Sequence, residues 1–96
     1  MSTRIKLGIL GCGDIAHQCY IPVLQKSSRA QITVVCDVIE ERARDTAHTF
    51  GITAYATDYA TMLTRDDVDA VVVLSQGPQH GEHCLMALRA GKHVCT

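Results

Sequence analysis

Gly11 and Gly13 stand one residue apart and are followed by Asp14, Ile15 and Ala16, a spacing that suits recognition of a phosphate-bearing ligand. Gly11 permits a tight turn, and Gly13 leaves no side chain between the backbone and an approaching anion. Ala16, where a third glycine often stands, still lets a helix approach a strand closely. A helix opening near Asp14 would aim unpaired N–H groups and the positive end of its dipole at the anion, a term of about 0.3–2 kcal/mol. The backbone of Gly11, Cys12, Gly13, Asp14 and Ile15 is therefore the expected cradle for the pyrophosphate of a dinucleotide, given a buried strand before it and a helix after it. Ile5, Leu7 and Ile9 supply that strand.

Asp37 is the second residue with chemistry to do. It comes about two dozen residues after the glycine turn, at the carboxyl end of the next apolar run, where an acidic side chain can accept both hydroxyls of an adenosine ribose. The same carboxylate opposes a 2′-phosphate, since two like charges about 4 Å apart repel by up to about 4 kcal/mol at an effective dielectric of 20. NAD is thus expected over NADP. Val38 and Ile39 offer no cation, and Arg42, the nearest, reads as a solvated residue on a helix surface. Glu40, three positions on, also makes Asp37 a candidate helix N-cap, which is compatible with ribose binding.

A third stretch, Ser75-Gln76-Gly77-Pro78-Gln79-His80, comes after the most apolar run of the chain. In an open α/β sheet, ligands lie outside the carboxyl ends of the strands near the point where strand order reverses, which brings this loop beside the glycine turn. Ser75 and Gln76 are expected to reach the cofactor. His80 reads either as a further cofactor contact or as a residue near a helix start. His80 and His83 could share a helix face beside Cys84, but no third or fourth ligand stands at familiar zinc spacing, so no metal site is expected. The five cysteines form no C-x-x-C pair and read as reduced core or turn residues. Cys12 alone sits where a helix N-terminus would favour a thiolate.

These residues need a scaffold of alternating strands and helices, and the hydrophobic pattern provides one. Strands are expected at Arg4–Leu10, Ile32–Cys36, Ile52–Ala56 and Ala70–Leu74, and a fifth begins at Lys92. A helix runs from Asp14 to about Cys19, and Pro22 breaks or restarts it around Tyr20–Ile21. A second spans Glu40–Phe50, with Ala43, Ala47 and Phe50 on one face and Gly51 closing it. Asp58 caps a short third. The fourth starts near Pro78, turns Cys84, Leu85 and Leu88 inward and ends at Gly91. The expected fold is α/β: a Rossmann-type, doubly wound parallel sheet of order 3-2-1-4-5 in one domain over residues 1–96.

With 47% hydrophobic residues and a net charge of −1, the chain reads as a small globular domain that buries about 60–65% of its unfolded surface. That charge argues against a nucleic-acid partner. No run approaches the roughly 20 apolar residues of a membrane span, and Met1–Lys6 leads into a strand, not a signal-peptide core, so a cytoplasmic protein is expected.

The chain resembles the N-terminal, NAD(P)-binding part of the glucose-fructose oxidoreductase / inositol dehydrogenase / rhizopine-catabolism family. Gly8–Ala16, Pro22, Asp37, Phe50-Gly51, Val68–Val71, His80 and above all Ala87-Leu88-Arg89-Ala90-Gly91-Lys92-His93-Val94 carry the resemblance. It differs from the family pattern in having Ser75-Gln76-Gly77 where Thr-Pro-Asn is common, and Tyr20 in place of a histidine. The resemblance implies hydride transfer between nicotinamide and a hydroxyl-bearing carbon of a sugar, polyol or related small molecule. It also implies a catalytic lysine in a Glu-Lys-Pro motif and a C-terminal α/β substrate domain, both beyond Thr96. The expectation is therefore a cofactor module, inactive alone, whose fifth strand forms an edge open to pairing with another copy. A non-catalytic nucleotide-binding or redox-sensing module is the alternative reading, and an adenosyl or coenzyme A ligand is a weaker third. A phospho-receiver domain is disfavoured because no aspartate ends the third strand.

Overall fold

The computed structural model describes residues 4–13, 16–75 and 78–95. The chain runs β1 (Ile5–Leu10), a π-helical turn (Ala16–Tyr20) continuing into α1 (Ile21–Gln25), β2 (Ala30–Cys36), α2 (Glu40–Phe50), β3 (Tyr55–Ala56), α3 (Tyr59–Leu63), β4 (Ala70–Val73), α4 (Gln79–Arg89) and β5 (His93–Cys95). The strands form one parallel sheet in the order β3-β2-β1-β4-β5, as expected. Asp14, Ile15 and Gln76 lie outside the described residues.

The apolar runs lie in the middle of the sheet because both faces are covered. One face carries Leu7, Ile9, Val35, Ala70 and Val72 against Ile21 of α1 and Ala47 of α2. The other carries Leu10, Val34, Cys36, Val71 and Val73 against Tyr59, Met62 and Leu63 of α3 and Ala87 of α4. Ile9, Ile21, Val34, Val35 and Val71 are fully enclosed, each contributing about 1.5–3 kcal/mol. Because α1 and α2 lie on one face and α3 and α4 on the other, the winding reverses between β1 and β4, and a crevice opens above their carboxyl ends.

One feature of β2 is invisible in its sequence. The register with β1 steps from Leu7↔Ile32 to Gly8↔Val34, so Thr33 is an extra residue that lets Ile32 and Val35 serve the same face. Its hydroxyl donates to the Asp67 carbonyl at 2.6 Å, with the Leu7 carbonyl 3.3 Å away.

Several local expectations need correction. The helix expected to run from Asp14 to Cys19 is, from Ala16 on, a π-helical turn, and regular α-helix begins only at Ile21, with Pro22 in its first turn. Proline has no N–H for the Gln18 carbonyl four residues back, so a regular α-helical ladder cannot run through this point. β3 is two residues long because Ile52 is held by the preceding helix: Ile52 N–H reaches the Ala47 carbonyl at 2.8 Å and Gly51 N–H the His48 carbonyl at 3.4 Å, a Schellman closure with Gly51 at φ 68°. Gly91 closes α4 in the same way, with Lys92 N–H on the Ala87 carbonyl. Asp58 occupies the cap position of α3 but accepts from the Thr61 hydroxyl, not from a backbone N–H. In α4, Leu85 and Leu88 point outward, 51% and 58% exposed, while Ala87 is fully buried.

Thr33→Val keeps the β-branched shape but leaves the Asp67 carbonyl without its donor. It should cost about 1–2 kcal/mol in chemical denaturation, and an unchanged midpoint would remove the hydroxyl from the account of the bulge.

Candidate functional site

The crevice at the switch point is a pocket of about 510 Å³. Its floor is Leu10, Gly11, Gly13 and Ala16; one wall is Asp37, Val38 and Arg42, and the other is Leu74, Ser75, Gln79 and His83. The sheet creates this meeting: Gly11 N–H bonds the Cys36 carbonyl at 2.9 Å, and Leu74 N–H bonds the Leu10 carbonyl at 2.8 Å. The ends of β1, β2 and β4 are thereby tied at one level.

The two glycines are required for different reasons. Gly11 has φ 102°, and a Cβ there would lie 3.2 Å from the Leu74 carbonyl carbon and 3.3 Å from the Ser75 nitrogen. The turn after β1 presses directly against the strand end beside it. A Cβ on Gly13 would meet nothing within 4 Å, so the space above Gly13 belongs to the pocket.

Asp37 is buried, 8% exposed, at the pocket edge. One carboxylate oxygen accepts from Cys12 N–H at 3.0 Å and the other from Ile39 N–H at 2.9 Å. The alternative reading of Asp37 as the N-cap of α2 is not met: Ile39 holds the cap position, and Asp37 closes a turn two residues ahead of itself. A carboxylate offers about four lone-pair directions. Two remain for a ligand.

Cys12 lies behind the turn, not in the pocket lining. Its N–H is taken by Asp37, and its thiol is buried 3.6 Å from the Cys36 carbonyl. Burial, reinforced by the negative charge of Asp37, pushes that thiol up to about 11, against a weaker opposing hydrogen bond from Thr46. The thiolate that a helix N-terminus could have favoured is thus disfavoured. Beneath it, Thr46 is fully buried and shares a 2.6 Å hydrogen bond with His17 Nε2, whose ring stands edge-on to Phe50.

On the far wall, Ser75 lines the pocket. His80 lies in the first turn of α4, outside the lining, with Nδ1 2.8 Å from the Ser75 carbonyl. His83 does line the pocket, with Nδ1 2.7 Å from the Ser75 hydroxyl. Both imidazoles therefore turn to Ser75, and among the described residues no group of three or more His, Cys, Asp or Glu could hold a metal ion. Of the expected site residues, Gly11, Gly13, Asp37 and Ser75 line one pocket; Cys12 and His80 support it from behind. Val38, Arg42, Gln79 and His83 join it without having been expected. Gln79 and His83 are one helical turn apart and share a face, but nothing in the sequence says which way that face turns.

A glycine turn between the first strand and its helix, an acid ending the second strand and a pocket at the reversal of strand order define a Rossmann-type nucleotide-binding fold. A family model described as an oxidoreductase family with an NAD-binding Rossmann fold matches residues 5–96, and the chain belongs to that family. An inositol 2-dehydrogenase/D-chiro-inositol 3-dehydrogenase of Shouchella clausii is 40% identical over 92 residues, which are 94% of this chain and 26% of that protein. The crystal structure of KijD10, a 3-ketoreductase from Actinomadura kijaniata in complex with NADP, matches with a TM-score of 0.90 and 37% identity over 96% of this chain and 29% of that one. That of scyllo-inositol dehydrogenase from Lactobacillus casei, with NAD(H) and scyllo-inositol, matches with a TM-score of 0.85 and 27% identity over 96% of this chain and 27% of that one. The chain thus spans about a quarter of the length of these relatives. No described helix is long and apolar enough to cross a membrane.

The contrast between the glycines is open to measurement. Gly11→Ala should destabilise the fold by about 1–3 kcal/mol through its positive φ and its contact with Leu74, whereas Gly13→Ala should leave the melting temperature nearly unchanged. Equal melting shifts would contradict the assignment of open space to Gly13. Burial also pushes the Cys36 thiol up to about 12, with the charges of Cys12, Asp37 and Asp58 adding to it. A thiol that ionises later in the folded than in the unfolded chain gives stability that is complete below about pH 9 and declines as pH rises toward 11–12. The midpoint of urea unfolding should therefore fall above about pH 9, and Cys12→Ala should reduce that fall.

Proposed function

We propose that the pocket binds a nicotinamide dinucleotide, NAD in preference to NADP. The chain would then be the cofactor-binding part of an oxidoreductase that moves a hydride between the nicotinamide and a hydroxyl-bearing carbon of a sugar, polyol or related small molecule. The observation that carries this reading is Asp37, a buried carboxylate pinned to the glycine turn with acceptor capacity left over at the pocket edge. The inositol dehydrogenase and 3-ketoreductase relatives support the substrate class.

The residues present fit such a cofactor. The open space above Gly13 would admit a pyrophosphate against bare backbone, and the spare lone pairs of Asp37 would accept from ribose hydroxyls. Val38, 84% exposed beside Asp37, offers an apolar surface for a base, and Ser75 and Gln79 close the opposite side. When bound, the nicotinamide supplies the hydride chemistry. The work of these residues is to bind and orient it, and we expect the chain by itself to bind the cofactor without turning over a polyol. The five free thiols suit a reducing compartment such as the cytoplasm.

The preference for NAD rests on charge. A 2′-phosphate would meet the fixed carboxylate of Asp37, while Arg42 on the same wall is exposed and offers a weaker, screened attraction. Titration with NADH and NADPH, followed by fluorescence, tests both parts. NADH should bind more tightly. Asp37→Ala should weaken NADH about tenfold or more while narrowing the NADH/NADPH ratio, and Gly13→Ala should weaken both without loss of fold. Absence of binding by either cofactor would remove the dinucleotide reading; an unchanged ratio in Asp37→Ala would remove the carboxylate from the account of selectivity.

A further inference from the structure

Ser75 is the meeting point of two imidazoles, and protonation acts differently on the two. The Ser75 carbonyl only accepts, so His80 Nδ1 carries a proton in either charge state of its ring. The Ser75 hydroxyl both donates and accepts, so its 2.7 Å bond to His83 Nδ1 can reverse. With His83 neutral and Nδ1 bare, the Ser75 O–H donates a hydrogen bond to the ring. With His83 protonated, Nδ1–H donates to Ser75 Oγ, and the hydroxyl proton is freed toward the pocket that both residues line. Acidification then delivers a positive charge and a free O–H donor to the same wall. The gain in charge holds for either neutral tautomer.

We propose that His83 is a positioning residue whose protonation, acting through Ser75, tightens dinucleotide binding as pH falls. This rests on the dinucleotide reading of the pocket. The groups around His83 leave it as the source of the effect. From α3, Tyr59 stands edge-on to the ring at 5.1 Å and donates to the His83 carbonyl at 2.9 Å, and burial pushes its phenol up to about 12, so it stays neutral. From the end of β4 comes Ser75. On α4 itself, His80, Glu82 and Cys84 are the titratable neighbours, and Asp37 and Arg42 stand across the pocket. Carboxyl and guanidinium groups titrate outside the range of about pH 5–8 in which histidine changes charge. His80 keeps the same Nδ1 donor on the Ser75 carbonyl in either charge state, and a slope that came from it would survive His83→Gln.

The test is calorimetric titration of the chain with NAD⁺ and with ADP-ribose, whose pyrophosphate does not titrate, from about pH 5.5 to about pH 8.5 at fixed ionic strength. Affinity for both probes should rise about three- to tenfold toward acid, with proton uptake on binding near the middle of the range. His83→Gln should bind with a flat profile and no uptake, and Ser75→Ala should keep a shallower slope. A flat profile in the unaltered chain, or a slope that survives His83→Gln, overturns the proposal and leaves the dinucleotide reading standing. Proton uptake in the unaltered chain, measured in buffers of different ionisation enthalpy, tests it without any substitution: no uptake overturns it. Failure of both probes to bind at every pH overturns both readings.

Discussion

The hydrogen bond from Cys12 N–H to the Asp37 carboxylate joins the two parts of the chain on which the pocket depends. An acid with 8% exposure is costly unless its oxygens are satisfied, and here the satisfying donors come from the glycine turn and from the start of the loop into α2. The turn after β1 and the end of β2 are therefore fixed relative to each other by charge as well as by the sheet. The same bond explains why Cys12, which occupies the middle of the glycine motif, has no part in the pocket surface. Its backbone donor faces Asp37 and its thiol faces the core, so the pocket floor takes Gly11, Gly13 and Ala16 from this stretch and passes over the cysteine between them.

The sheet makes this arrangement possible. β1 is central, and its neighbours β2 and β4 carry helices on opposite faces. A crevice must open where those helices part. Gly11 then lets the turn lie directly on Leu74 and Ser75, closing the crevice at its base. The glycine with positive φ belongs to the fold, and the glycine with open space above it belongs to the pocket.

Much of this was legible in the residues themselves. The strand order, the span Glu40–Phe50 with its glycine stop, and the restart of helix at Ile21 reflect patterns that are local and strong. What escaped depends on contacts between distant segments. Thr33 looks like any β-branched strand residue, and only pairing with β1 shows that it is extra. Leu85 and Leu88 satisfy a helical apolar period, yet the inward face of α4 runs through His83, Cys84 and Ala87, and there the Ser75 hydroxyl gives the His83 ring a polar partner. β3 shortened because the Schellman closure of α2 claimed Ile52 first. In the pocket, Gly11, Gly13, Asp37 and Ser75 could be read from spacing, whereas Arg42 and His83 could not, since a polar residue on a helix gives no sign of which side it faces.

Arg42 shows why the choice between cofactors is a balance and not a rule. Asp37 is fixed by two backbone donors and little exposed, so its repulsion of a phosphate is poorly screened and costs no side-chain entropy to apply. Arg42 is exposed on a long side chain, so its attraction is screened and opposed by the entropy lost in ordering that chain. The proposed preference for NAD rests on that asymmetry. Yet the asymmetry is only as strong as the difference in burial, and a relative of similar fold is found with NADP while another is found with NAD(H). On the proposed reading, the choice in this chain turns on how firmly Arg42 is held against the fixed carboxylate of Asp37, and the sheet and the glycine turn take no part in it.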